Sequence, residues 1–85
     1  MARVVLPRGL AAELFGGREV IVIAAKTLFG VVHALEAEAP GFEARAEQGL
    51  AMAVDGVLSE DWSTPVGPDS EVLVVTRVAG GQASS

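Results

Sequence analysis

The sequence predicts an α+β domain, a sheet of four to five strands packed on one main helix. Three observations carry that expectation. Short runs rich in β-branched residues recur at the start of the chain, near residue 20 and near residue 73; one apolar stripe at helical spacing lies between them; and an Asp-Gly pair divides two further apolar runs. The order read from these is strand, strand, helix, strand, short strand, long loop, strand.

Ala2 to Leu6 is short, β-branched and stopped by Pro7, which suits a first strand. Gly9 to Phe15 forms a brief helical turn or loop that ends at Gly16-Gly17. Glu19 to Ala25 holds Val20, Ile21, Val22 and Ile23 in a row and is the second strand, running antiparallel to the first through a hairpin-like return. Thr27 is an N-cap candidate for a helix reaching about Ala39, with Leu28, Val31, Val32 and Leu35 as its buried face and Pro40-Gly41 as its stop. Phe42 to Gln48 adds a short helix or turn, broken by Gly49. Ala51 to Val54, Asp55-Gly56 and Val57-Leu58 form a tight hairpin, because Asp-Gly tolerates the positive φ angles of a two-residue turn. Ser59 to Ser70, with Pro65, Gly67 and Pro68, is loop; Glu71 to Val78 is the last strand. The domain therefore covers residues 1–78, and residues 79–85 form a flexible tail of small and polar residues.

Composition narrows the function classes. Eighty-five residues support one hydrophobic core. Hydrophobic residues make up 51% and charged ones 20%, enough apolar surface for the chain to fold without help. Six Lys plus Arg against 11 Asp plus Glu give a net charge of −5, a poor balance for binding phosphate backbones, so nucleic acid is not an expected partner. The absence of cysteine excludes disulfides, thiolate metal sites and a thiol nucleophile. The longest apolar run, Val20 to Ala25, is far below the roughly 20 residues of a membrane-spanning helix, and MARVVLPRGL lacks a signal-peptide core. The expectation is a cytoplasmic protein.

One helix cannot cover both faces of the sheet, yet the first and last strands are apolar at both parities. With Val4, Leu6, Val72 and Val74 inward, Val5, Leu73 and Val75 form an apolar patch on the opposite face. Such patches mark partner surfaces; the competing readings are a domain-packing or self-association face, or a sheet covered by the Gly9–Phe15 segment. Internal catalysis has little to draw on. His33 is the only histidine and lies mid-helix; Glu36, Glu38, Glu43 and Glu47 read as solvated charges; Trp62 reads as a plug at the core edge; and Gly16-Gly17 lacks the spacing and lysine of a phosphate loop. The last strand runs into Val78-Ala79-Gly80-Gly81. Extended, residues 76–81 reach about 20 Å, and two glycines let the backbone enter a slot too narrow for side chains. An ordinary floppy terminus accounts for the same residues equally well.

Taken together, LPRGLAAELFGG, LEAEAPGF, AVDG and above all TPVGPDSEVLVVTRVAGG resemble the MoaD/ThiS-like ubiquitin-like sulfur carriers, the molybdopterin synthase small subunit and thiamine sulfur carrier type. The resemblance implies a β-grasp, ubiquitin-like fold with a mixed sheet, and a protein that is not itself an enzyme and binds no cofactor. It implies that a ubiquitin-activating-type enzyme docks on Val5, Leu73 and Val75, threads Val78, Ala79 and Gly80 into its ATP site, and adenylates Gly81. A thiocarboxylate then forms and serves a sulfur-accepting synthase. Two departures stand out: Gln82-Ala83-Ser84-Ser85 follows Gly81, so a processing peptidase must first remove QASS, and Thr76-Arg77 stands where molybdopterin members often carry Pro-Pro. The alternatives are a noncatalytic small subunit of molybdopterin synthase, a ubiquitin-like modifier joined through Gly81, and an interaction module with an idle tail.

Overall fold

The structure, a computed structural model, describes residues 1–76. Along the chain it forms β1 (Ala2–Val5), α1 (Arg8–Leu14), β2 (Val20–Ile23), α2 (Leu28–Glu38), α3 (Phe42–Gly49), β3 (Leu50–Val54), β4 (Val57–Ser59) and β5 (Glu71–Thr76). The five strands make one sheet in the order β2-β1-β5-β3-β4. β1 and β5, the first and last strands, lie side by side and parallel at its centre, and every other pairing is antiparallel. The expected mixed sheet is thus present with five strands. The main helix is α2, and two shorter helices join it, α3 where the sequence left helix or turn open and α1 in place of a helical turn or loop.

The core sits between α2 and the inner face of the sheet. Leu28, Val31, Val32 and Leu35 are buried as their spacing requires, against Val4, Met52, Val72 and Val74 of the three central strands. Full burial of each such side chain stabilises the fold by about 1.5–3 kcal/mol. Phe42, at the start of α3, is fully buried and meets Phe15 edge to face at 5.8 Å between ring centroids. Leu10 and Ala11 of α1 enter this same core. The segment Gly9–Phe15 therefore closes one end of the core and leaves the opposite sheet face open.

The long loop after β4 is ordered by its own polar residues. Asp61 Oδ1 accepts from the Ser63 amide (2.9 Å) and hydroxyl (2.7 Å), and the Ser59 and Thr64 hydroxyls pair at 2.6 Å. Held this way, the loop gives the Thr64 and Trp62 carbonyls to the Leu28 and Phe29 amides at 3.1 and 2.8 Å, while Thr27 Oγ1 accepts from Gly30. Three of the four free donors at the start of α2 are satisfied at once. Trp62 is half-buried against the core, as the sequence suggested, with Phe29 edge to face at 5.7 Å. At the other end of α2 the Glu36 carboxylate accepts from the Gly41 and Glu43 amides and caps α3, whose own cap position is a glycine.

Asp55 and Gly56 both have positive φ, 51° and 87°, so the β3–β4 connection is the two-residue turn that the Asp-Gly pair requires. The Asp55 carboxylate also reaches the start of β5. It accepts from the Glu71 amide (2.9 Å) and the Ser70 hydroxyl (2.8 Å), and Ser70 in turn accepts from the Gly67 amide. These donors, the Glu71 amide first, hold the Asp55 carboxyl below the ordinary aspartate range. A depressed folded-state value means that its contribution to stability is complete above the unfolded value, about 3.9, and disappears as pH falls through the folded value. Urea unfolding at stepped pH is expected to show a steeper acid loss below about pH 4 for the parent than for Asp55→Asn, which has no carboxylate to protonate.

Candidate functional site

Strand register builds an apolar row across the outer face. Val20 of β2 lies opposite Val5 of β1, Val5 opposite Leu73 of β5, Leu73 opposite Ala53 of β3, and Ala53 opposite Leu58 of β4. Every strand contributes one residue. At about 4.8 Å between neighbouring strands the row runs roughly 19 Å. Leu58 is 61% exposed, Leu73 44% and Val20 42%, with Val5 and Ala53 half-buried between them. Val75, also half-buried, continues the apolar surface on one side, opposite Ala51. Val22, Arg3 and Glu71 form the parallel row on the other side, so an exposed cation and an exposed carboxylate border the apolar strip near its middle.

This arrangement follows from strands that are apolar at both parities. In β5 (EVLVVT) Val72 and Val74 are buried, while Leu73 faces out. Nothing in the row is an acid, base or nucleophile, so the surface can recognise a partner by burial but cannot transform a substrate. Leu73 stands three residues before Thr76, the last described residue, about 10 Å along the strand. The face therefore lies close to where the chain continues toward Gly81.

Val5, Leu73 and Val75 do share the outer face, as their parity implied. Val78, Ala79, Gly80 and Gly81, the threading segment and the residue to be modified, lie outside the described residues. Val20, Val22, Ala53 and Leu58 join them on this face, beyond what parity within β1 and β5 alone indicates. The Asp55-Gly56 turn already fixes Leu58 opposite Ala53, a relation that counting outward from the turn would have found. The parallel β1–β5 register has no such local marker.

His33 is exposed on α2. Glu38 pairs with Arg18 at 3.0 Å, and donation from the Glu43 and Gly41 amides lowers the Glu36 carboxyl below its ordinary range. Among the described residues there is no pocket, no group of three or more His, Cys, Asp or Glu that could hold a metal ion, and no helix long and apolar enough to cross a membrane.

No family model matches the chain, and no curated protein matches it. Solved structures do. The crystal structure of Mycobacterium tuberculosis CysO, described as an antigen, matches with a TM-score of 0.81 at 20% identity, over 92% of this chain and 100% of that one. The Amycolatopsis orientalis BexX/CysO complex matches equally well, with a TM-score of 0.81 at 20% identity, over 95% of this chain and 100% of the other. The solution structure of small archaeal modifier protein 1 (SAMP1) from Methanosarcina acetivorans gives a TM-score of 0.74 at 18% identity, over 94% and 95% of the two chains. At this identity the likeness speaks for the fold, and it is the fold that the sequence resemblance implied: the chain is a β-grasp, ubiquitin-like domain similar to CysO and SAMP1.

Proposed function

We propose that the protein is a cytoplasmic sulfur carrier, acted on by other enzymes rather than catalysing a reaction itself. Its apolar outer row docks a ubiquitin-activating-type adenylating enzyme, which threads Val78, Ala79 and Gly80 and activates Gly81. A peptidase first removes QASS, because Gly81 has no free carboxylate while Gln82 follows it. The Gly81 carboxylate then attacks the α-phosphorus of ATP on the activating enzyme, and pyrophosphate leaves. A sulfur nucleophile displaces AMP from the acyl-adenylate, and the resulting thiocarboxylate passes its sulfur to an accepting synthase. No cysteine of the carrier is needed for any of these steps.

The observation that carries this reading is the apolar row spanning all five strands, centred on Leu73 and close to the start of the C-terminal segment. Its fold likeness to CysO, solved in complex with BexX, supports a protein partner for such a domain. Intact-mass spectrometry of protein from its native host tests the reading. The expected species ends at Gly81 and has one oxygen replaced by sulfur; only full-length chain, in cells where the pathway runs, overturns it.

The likeness to SAMP1, named a modifier protein, favours one second reading: attachment through Gly81 to lysines of other proteins. Isopeptide-linked adducts ending in Gly80-Gly81, without a thiocarboxylate form, would establish it. Stable co-purification with a larger synthase subunit would instead indicate the small subunit of molybdopterin synthase.

A further inference from the structure

The β2 edge offers more than its side chains. The Leu6 amide donates to the Glu19 carbonyl at 2.8 Å, which makes Leu6 and Glu19 a hydrogen-bonded pair in the register that continues Val5 opposite Val20. Bonded and non-bonded pairs alternate along an antiparallel ladder, so Ile21 and Ile23 turn their backbone groups toward β1, whereas Val20 and Val22 turn theirs away. The Arg3 amide confirms this phase by donating across to Ser70 at 3.0 Å on the β5 side. Two amides and two carbonyls thus line the free edge, and no described residue pairs with them. The side chains at these positions are apolar and exposed, 42% for Val20 and 57% for Val22. β2 has no proline and no lysine within it, the usual protections of an edge.

We propose that this edge pairs with the same edge of a second copy, antiparallel about a two-fold axis through Ile21. In that register Val20 lies opposite Val22 of the second copy, and Val22 opposite its Val20. All four free backbone groups on each side are then used, giving four hydrogen bonds. Glu19 falls opposite Ile23 and Arg18 opposite Ala24, so no charge meets a like charge. Sliding by two residues to centre the pair on Val22 sets Arg18 against Lys26, which disfavours that register. The strand is therefore self-complementary in sequence as well as in hydrogen bonding. Pairing also carries the apolar outer row from one copy into the next, since Val20 ends the row at this edge. A four-residue edge buries far less than the roughly 800 Å² per partner of a standard interface, so the dimer is weak and concentration-dependent, with a dissociation constant on the order of 10⁻⁴ M.

The test uses the full chain at concentrations from about 20 µM to about 2 mM, spanning that constant. Translational diffusion is expected to slow toward a dimer value. Amide exchange at Val20 and Val22 should slow with concentration, while Ile21, already bonded to β1, stays constant. Val22→Pro removes one outward-facing amide without removing a bond to β1 and is expected to abolish self-association; Val22→Thr keeps the amide and should dimerise. Leu73→Asp, which alters the face and not the edge, should also dimerise. A parent chain that stays monomeric to the highest concentration, or equal exchange slowing at Val20, Ile21 and Val22, overturns the proposal without recourse to any variant. Loss of association in Leu73→Asp but not in Val22→Pro overturns it in favour of face-to-face packing.

Discussion

Leu73→Asp is expected, on the proposed carrier function, to cut the rate of Gly81 adenylation, measured as ATP–pyrophosphate exchange with a chain ending at Gly81 at subsaturating concentration, by about 30- to 1,000-fold. Leu73 is central in the row, with Val5 on one side and Ala53 on the other, and its exposed part is what a partner would bury. Residues at the middle of an interface carry most of its energy, about 2–4 kcal/mol each when truncated, and a buried carboxylate without a counter-charge adds a further penalty. The substitution should leave the fold intact, because the inward neighbours Val72 and Val74 keep their places. Val57→Asp is the matched comparison. Val57 is more exposed than Leu73, but it starts β4, pairs there with inward-facing Val54 and stands off the row. Adenylation of that variant should equal the parent's. Equal losses in both variants would mean that charge in general, not the row, governs the reaction.

The outer row shows where sequence reasoning reaches and where it stops. Val5, Leu73 and Val75 could be assigned to one face from parity alone, because a strand's side chains alternate whatever it pairs with. The buried stripe of α2 and the Asp55-Gly56 turn were equally legible, each being set by residues a few positions apart. Leu58 was within reach of the same reasoning. In the sequence Val20 and Val22 stand only as part of a continuous apolar strand; that β2 is an edge depends on β5 returning to the far side of β1, a pairing separated by about the whole length of the domain. α1 was underestimated for a related reason. Its seven residues carry no side-chain cap, and its helix is secured by burying Leu10 and Ala11 in a core assembled from elsewhere. The Asp55–Ser70–Glu71 contacts likewise join segments whose meeting no local pattern encodes.

Phe42→Ala is expected to lower unfolding free energy by about 3–5 kcal/mol, read from urea denaturation. The ring is fully buried at the start of α3 and packs edge to face on Phe15, so its removal leaves a void inside the core. A loss of that size is a large share of the 5–15 kcal/mol available to a domain, and a chain this small sits toward the low end. Phe29→Ala should cost under about 1 kcal/mol, since Phe29 is largely exposed and gives up mainly its edge contact with Trp62. The two effects bear on function differently from Leu73→Asp. Because the strands alternate core and outer-face residues, a destabilised core is expected to lower the proposed adenylation only through the folded fraction, so Phe42→Ala should recover parental rates in a stabilising osmolyte. Leu73→Asp should not. Recovery of both would place Leu73 in the stability of the body rather than in recognition by the activating enzyme.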